Sequence, residues 1–157
     1  MQKHALSLVA LFGLVFLMGG SNLKAEDVAF PELPKGAGEM DKDAPKTFTT
    51  TASGLKYRIL RKGTGAMPKA TDKVNVNYHG WLDNKTVFDS SYARGQPISF
   101  GLNQVIKGWT EGMQLVGTGG MIELEIPANL GYGARGAGAA IPPNATIHFL
   151  VELNKVE

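Results

Sequence analysis

The sequence contains no cysteine and few charged residues. Among its 157 residues, Asp, Glu, Lys and Arg together make up 19%. The missing thiols exclude disulfide bonds, thiolate zinc sites, iron–sulfur clusters, a cysteine nucleophile and a lipidated cysteine. Low charge combined with 43% hydrophobic residues is atypical of disordered or coiled-coil chains. The composition therefore favours one domain with a hydrophobic core.

The chain also lacks a strong charge of either sign. Sixteen Lys and Arg residues stand against fourteen Asp and Glu, a net charge of +2, and no basic block is present. We therefore expect no nucleic-acid partner. Glycine, in contrast, is abundant, with 20 residues. This abundance favours many turns over long helices.

The N-terminus has the pattern of an export signal. A lysine precedes an apolar run at residues 5–18, and small residues follow the run. This pattern predicts a secretory signal peptide over residues 1–25, with a cut near Gly20 as the alternative. The run is shorter than the roughly 20 residues of a membrane-spanning helix, so we expect no permanent membrane span. Export without cysteines is typical of a bacterial envelope, which favours the periplasm, with secretion as the other destination.

Residues 26–46 have no apolar period. They include six acidic residues, three lysines, three prolines and two glycines. This composition predicts a flexible linker, with a short strand or helix around residues 28–33 as the alternative. The segment is also too short to build a dimerising helical domain, so we expect a monomer.

The domain predicted at residues 47–157 alternates strand-like runs with turn signals. Apolar residues recur at every second position in four runs, which indicates strands with one buried face. These residues are Leu55, Tyr57 and Ile59; Val74, Val76 and Tyr78; Ile122, Leu124 and Ile126; and Ile147, Phe149, Val151 and Leu153. Only residues 107–116 have helical spacing, and Gly117 ends them. The pattern predicts an α+β fold in which a twisted antiparallel sheet of four or five strands packs on one short helix.

Several motifs are similar to known binding or catalytic motifs, but the residues around them do not support these functions. Residues 131–136 match a dinucleotide-binding fingerprint, but Pro142 and Pro143 prevent the helix that would hold a pyrophosphate. His79 and His148 have no partners at metal-ligand spacing. No serine has the sequence context of a hydrolase nucleophile. We therefore expect neither a metal nor a cofactor.

A set of aromatic and aliphatic residues remains, with Asp89 among them. In a short domain such residues are usually core. Phe88, Trp109 and Tyr132, however, stand beside turn residues, where side chains tend to line surface concavities. The pattern alone leaves both interpretations open. The set consists of Tyr78, Phe88, Phe100, Val105, Ile106, Trp109, Tyr132, Ile141 and Phe149.

Five motifs in one order resemble the FKBP-type peptidyl-prolyl cis-trans isomerases. They run collinearly through the last two-thirds of the chain, at residues 74–80 (VNVNYHG), 87–91 (VFDSS), 105–109 (VIKGW), 130–133 (LGYG) and 141–146 (IPPNAT). The resemblance implies an exported bacterial single-domain form, with a five- to six-stranded antiparallel sheet wrapped around one short helix. It also implies that proline-containing polypeptides and macrolide inhibitors bind an apolar pocket without a cofactor.

The resemblance further implies roles for single residues. Trp109 is similar to the family's pocket floor, and the Ile106 N–H would hold a carbonyl of the bound peptide. Tyr132 would supply a hydroxyl from the rim, and Asp89 a carboxylate that acts through its neighbours. The walls would consist of Tyr78, Phe88, Phe100, Val105, Ile141 and Phe149.

Alternatives remain for three of these residues. Asp89 could serve to cap the turn at the serines that follow it, Tyr132 could simply border a glycine turn, and Trp109 could be a core residue only. The sequence also departs from better-known single-domain members at Ile98, Ala137 and Ala140. These departures bear on substrate preference and on macrolide affinity.

The expected activity is acceleration of X-Pro bond rotation during the folding of exported proteins. Desolvation and binding of a twisted prolyl amide would supply it without a covalent step. Two alternatives stay open. One is a proline-peptide binding module or holdase chaperone with little catalysis, and the other is a surface adhesion or virulence factor that uses the fold as a scaffold.

Overall fold

The computed structural model describes residues 24–157. All but the last two residues of the predicted signal peptide lie outside this range. Within it, no helix has the length and apolar character needed to cross a membrane. The elements are β1 (Thr49–Thr50), β2 (Lys56–Arg61), β3 (Lys73–Leu82), β4 (Val87–Ser90), α1 (Ser91–Arg94), β5 (Ile98–Gly101), α2 (Lys107–Gly112), β6 (Met121–Ile126) and β7 (Ile147–Val156), with 3₁₀ turns at Met113–Leu115 and Ala128–Leu130.

The strands form one antiparallel sheet in the order β1-β2-β6-β7-β3-β4, and β5 also pairs with β3. One edge of β3 pairs with β7 along its length, while the other edge pairs first with β5 and then with β4. The predicted α+β fold, an antiparallel sheet on a short helix, is confirmed. The described chain has seven strands because β1 contributes a two-residue pairing and the short β4 and β5 share one edge of β3.

Helix α2 packs closely on the sheet through two glycines one turn apart. A Cβ on Gly108 would lie 2.6 Å from Ile126 Cγ2, and one on Gly112 would lie 2.7 Å from Leu124 Cδ2. Larger side chains at these positions would push α2 away from β6. Because glycine is a poor helix former, the same glycines account for a helix shorter than the predicted one, which continues only as the 3₁₀ turn Met113–Leu115.

The main core lies between α2 and the sheet. The period-two residues of β3, Val74, Val76 and Tyr78, all point into it and are at most 5% exposed. Trp109 and Met113 reach it from the helical segment. Burial of one such side chain stabilises the fold by about 1.5–3 kcal/mol. Because the apolar residues recur at every second position of a strand, they all lie on one face of the sheet, and this is the face that α2 covers.

The structure differs from the prediction of a flexible linker at residues 26–46. This segment, the N-terminal strap, has no helix or strand, yet it packs against the sheet face opposite α2. Its apolar side chains cover a second cluster of buried residues. The strap contributes Phe30, Leu33, Met40 and Ala44, and the sheet contributes Leu60, Trp81, Met121 and Leu150.

Arg58 joins both ends of the strap to the sheet. Its guanidinium, on β2, donates to the carbonyl oxygens of Val28 and Ala29 at 2.8 Å and of Lys46 at 3.0 Å. Its Nε donates to Glu123 Oε2 at 2.7 Å, and Arg58 is only 1% exposed. Burial raises the pKa of the Glu123 carboxyl above its usual range, although the neighbouring guanidinium opposes the shift. The strap therefore covers a buried ion pair as well as an apolar cluster.

Candidate active site

A cavity of about 820 Å³ opens where β3, β4, β5 and β7 approach α2. All ten predicted site residues line it, although they come from distant parts of the sequence. They are Tyr78, Phe88, Asp89, Phe100, Val105, Ile106, Trp109, Tyr132, Ile141 and Phe149. The structure thus places all ten around one cavity, and four of them, Tyr78, Trp109, Ile141 and Phe149, also belong to the main buried core.

Trp109 lies at the base of the cavity and is fixed by three neighbouring rings. It is 4% exposed. Its ring centroid lies 5.5 Å from that of Tyr78, 5.6 Å from that of Phe100 and 5.2 Å from that of Phe149, with interplanar angles of 86°, 81° and 86°. Edge-to-face contacts of this kind are favourable and hold each ring in one orientation. The buried Nε1–H has no hydrogen-bond partner within residues 24–157.

The rings of Phe88 and Phe149 form one wall of the cavity. Phe88 on β4 meets Phe149 on β7 edge to face, with centroids 5.4 Å apart. Gly80 makes room for this pair, because a Cβ there would lie 2.6 Å from Phe88 Cζ and 2.8 Å from Phe149 Cε1. The glycine that ends the motif at residues 74–80 thereby sets the position of a cavity wall.

Ile106 lies at the start of α2 and has φ −58° and ψ 149°. Its carbonyl accepts hydrogen bonds from the N–H groups of Trp109 at 2.9 Å and Thr110 at 3.1 Å. A residue in this capping position uses its carbonyl for the helix but not its own N–H. The Ile106 N–H therefore stands beside the cavity as a donor that the helix does not use.

Asp89 belongs to a polar network at the cavity edge. The Tyr78 hydroxyl donates to Asp89 Oδ2, and Arg94 donates from Nη1 to Asp89 Oδ1 at 2.5 Å and from Nη2 to the Tyr78 hydroxyl at 2.9 Å. The Ser90 N–H also donates to Asp89 Oδ1, at 2.9 Å. One carboxylate thus caps the turn and orients a side chain of the cavity.

This network shifts two pKa values in opposite directions. Burial opposes ionisation of Asp89, but hydrogen bonds from Tyr78 and Arg94 outweigh it and hold the pKa of the Asp89 carboxyl below its usual range. Burial and the adjacent carboxylate raise the pKa of the Tyr78 phenol. Around neutral pH the aspartate is therefore a charged acceptor and the phenol a neutral donor.

Arg94 was missed by the sequence analysis. It stands five residues after Asp89, and only the single helical turn α1, ended by Gly95 with φ 74°, returns its guanidinium to the carboxylate. Sequence spacing alone does not predict such a turn. A basic residue close to an aspartate in a turn region was the one available signal.

The cavity rim is partly open and built from small or exposed residues. Tyr132 and Ile98 are each 38% exposed. Burial and the charge of Asp89 raise the pKa of the Tyr132 phenol, so its hydroxyl stays protonated. Ala137 and Ala140 also line the cavity. The residues at which the sequence departs from the better-known pattern therefore lie at the cavity.

The dinucleotide-like fingerprint and the two histidines considered in the sequence analysis lie in turns and in local hydrogen bonds. Residues 131–135 form turns, so the dinucleotide-like fingerprint opens no helix. His79 Nδ1 lies 3.0 Å from Ser90 Oγ, and His148 Nε2 lies 2.6 Å from Asp83 Oδ1. Within the described residues, no group of three or more His, Cys, Asp or Glu residues could hold a metal ion.

Comparison with known proteins adds sequence and structural likenesses. The chain is 51% identical over 140 residues to a probable FKBP-type peptidyl-prolyl cis-trans isomerase of Haemophilus influenzae, covering 87% of this chain and 57% of that protein. It is 47% identical over 123 residues to the FKBP-type 22 kDa peptidyl-prolyl cis-trans isomerase of Escherichia coli, covering 78% and 60%. The crystal structure of FkpA from Escherichia coli superposes with a TM-score of 0.68 at 47% identity, covering 70% of this chain and 51% of that one.

The chain thus spans less than two-thirds of the length of these relatives. Residues 65–154 match the family of FKBP-type peptidyl-prolyl cis-trans isomerases. Because that match covers more than half of the sequence, the chain belongs to the FKBP-type peptidyl-prolyl cis-trans isomerase family.

Proposed function

We propose that the protein is a peptidyl-prolyl cis-trans isomerase that accelerates X-Pro bond rotation in the folding of exported proteins. The observation that carries this proposal is the aromatic cavity of about 820 Å³ with Trp109 at its base. It combines a large apolar surface with few polar groups, which suits a proline side chain and its amide. The isomerases among the relatives support the same activity.

The chemistry of the bond explains why such a cavity suffices. Resonance holds the X-Pro amide planar, with a barrier of about 18–20 kcal/mol. The planar form carries more charge separation than the twisted transition state. A cavity that removes water from the amide therefore disfavours the planar form more than the twisted one. A barrier lowered by about 4 kcal/mol corresponds to roughly a thousandfold acceleration.

Binding and orientation come from different residues. The proline ring would rest on Trp109, between the walls formed by Phe88 and Phe149. The Ile106 N–H would bind a peptide carbonyl and hold the chain on one side of the bond while the other side turns. The Tyr132 hydroxyl would donate from the rim to a carbonyl outside the cavity.

Asp89 would act by positioning and not by proton transfer. Its pKa lies below the usual aspartate range, so it carries no proton to donate near neutral pH. Its carboxylate instead accepts from Tyr78 and pairs with Arg94, which keeps the Tyr78 ring at the cavity wall. Both the turn-capping and the cavity roles of Asp89 contribute to this arrangement.

The proposal also includes a periplasmic location, a monomeric state and inhibition by macrolides. The predicted signal peptide supports export, with the periplasm as the destination, and cell fractionation tests this. The monomeric state predicted from the sequence is tested by sedimentation equilibrium. A macrolide that fills the cavity would compete with a proline peptide, and competition binding tests this.

The activity itself is tested by exchange spectroscopy on a short peptide with one X-Pro bond. We expect wild type to accelerate exchange and Phe88→Ala to lose most of the acceleration, because the substitution opens a wall to water. A holdase without catalysis would leave peptide exchange at the buffer rate and suppress aggregation equally in both proteins. That pair of results would contradict the proposal.

A further inference from the structure

Glu152 lies where the N-terminal strap, β7 and α1 meet. It is 8% exposed and accepts three hydrogen bonds from three parts of the chain. The Gly38 N–H donates to Oε1 at 3.1 Å, the Tyr92 hydroxyl donates to Oε1 at 2.5 Å, and Arg61 Nη2 donates to Oε2 at 2.6 Å. A buried carboxylate with this many partners holds all three in fixed positions.

The strap is tightly fitted at this point. A Cβ on Gly38 would lie 2.4 Å from Arg61 Nη1 and 2.9 Å from Glu152 Oε2, so only glycine fits there without displacement. Arg61 also donates to the carbonyl oxygens of Glu39 and Gly119, each at 2.9 Å. The position of the Glu152 carboxylate is therefore set from the strap and from the sheet at once.

Helix α1 connects this junction to the cavity. Tyr92 faces the strap, since a Cβ on Gly36 would lie 3.9 Å from its Cδ1, and Tyr92 bonds to Glu152. Arg94, two residues later on the same turn, bonds to Asp89 and to the Tyr78 hydroxyl. A four-residue helix has almost no stability of its own, so side-chain bonds such as these decide its orientation.

We propose that Tyr92 is a positioning residue, whose hydroxyl bond to Glu152 orients α1 and thereby holds Arg94 against Asp89 and Tyr78. The strap is then coupled to the cavity through Glu152. The inference rests on the proposed isomerase function. It assigns to Tyr92, which does not line the cavity, an influence on the hydrogen bonds among Asp89, Arg94 and Tyr78.

The substitution Tyr92→Phe in the full chain tests the proposal, because it keeps the ring and removes only the hydroxyl. We expect kcat/KM for an X-Pro peptide to fall about threefold or more. We also expect the pKa of the Asp89 carboxyl, followed by carbon NMR, to rise toward its usual range. Glu152→Gln, which alters the same contact from the other side, should shift both readouts in the same direction.

Two controls separate positioning from general destabilisation. Leu60→Val removes one methylene from the cluster beneath the strap and should leave both readouts at their wild-type values. In an Arg94→Gln background, Tyr92→Phe should produce no further fall in kcat/KM, because the residue through which it acts is gone.

The proposal is overturned if Tyr92→Phe leaves kcat/KM and the Asp89 pKa unchanged, or if Leu60→Val changes them equally. It is also overturned if the effects of Tyr92→Phe and Arg94→Gln simply add. A wild-type protein that does not accelerate exchange contradicts the proposed function instead, and the Asp89 titration still decides the coupling.

Discussion

The indole of Trp109 and the ring of Phe149 meet edge to face, with centroids 5.2 Å apart and planes at 86°. This contact joins a side chain of α2 to one of β7. The shape of the cavity therefore depends on how closely α2 approaches the sheet, which Gly108 and Gly112 determine. The site is a consequence of the packing of the whole domain and not of one loop.

The substitution Gly80→Ala should narrow the cavity from its wall. The added methyl would meet Phe88 and Phe149, and relief requires both rings to shift. We expect the free energy of unfolding to fall by about 1–3 kcal/mol and kcat/KM to fall about tenfold. Leu150→Val, on the opposite sheet face, serves as the control that loses stability without loss of rate. Wild-type kcat/KM in Gly80→Ala would show that the Phe88–Phe149 wall does not matter.

The substitution Asp89→Asn should separate activity from stability. The carboxylate and its Arg94 partner are 41% and 45% exposed, and exposed ion pairs contribute little to stability. We therefore expect urea unfolding to change little, while kcat/KM falls about fivefold because Tyr78 loses a charged acceptor. A large loss of stability with unchanged kcat/KM would instead identify Asp89 as a turn cap only.

The substitution Arg58→Met should be strongly destabilising. It leaves Glu123 buried without its partner and removes three bonds to the strap, which costs about 3–5 kcal/mol in urea unfolding. Lys62→Met removes an ion pair with Asp43 in which both side chains are 72% exposed, and should cost far less stability than Arg58→Met. Comparable losses in the two variants would mean that the strap adds nothing to the fold.

Stability should depend on pH through Glu152. Burial opposes ionisation, but bonds from Tyr92, Arg61 and Gly38 hold its pKa below the usual range. A lowered folded-state pKa contributes stability above the unfolded value of about 4.3, and this stability is lost as pH falls through the folded value.

The matched variant is Glu152→Gln, which has no titrating group there. Near pH 7 it should be less stable than wild type by about 1–3 kcal/mol, and the difference should shrink as the pH drops below about 4.3. Unfolding by urea at a series of pH values measures it. A gap that stays constant with pH would contradict the assigned role of the carboxylate.

The alternating residues of β3 and β7 predicted the sheet because period-two burial is a local signal. The strap could not be predicted in this way. Phe30, Leu33 and Met40 follow an irregular path and share no period, so the sequence pattern contains no signal that they pack on the sheet. Arg58 and Leu60 lie on the other face of β2 and are buried because the strap covers that face, so their burial could not be predicted without the strap.

The cavity residues were predicted from motifs, and the network around them was not. Trp109 and Phe149 stand in recognisable sequence surroundings, but the Tyr92–Glu152 bond joins residues 60 positions apart. Pairings of this kind depend on the register of the sheet and on the direction of a single helical turn. Neither can be predicted from the spacing of residues along the chain.

The most direct measurement compares X-Pro exchange of one short peptide in buffer, with wild type and with Trp109→Leu, after spectra have shown that the variant is folded. We expect wild type to accelerate exchange by orders of magnitude and the variant to lose at least about tenfold of that acceleration. Exchange by wild type at the buffer rate, or undiminished exchange by Trp109→Leu, would contradict this expectation.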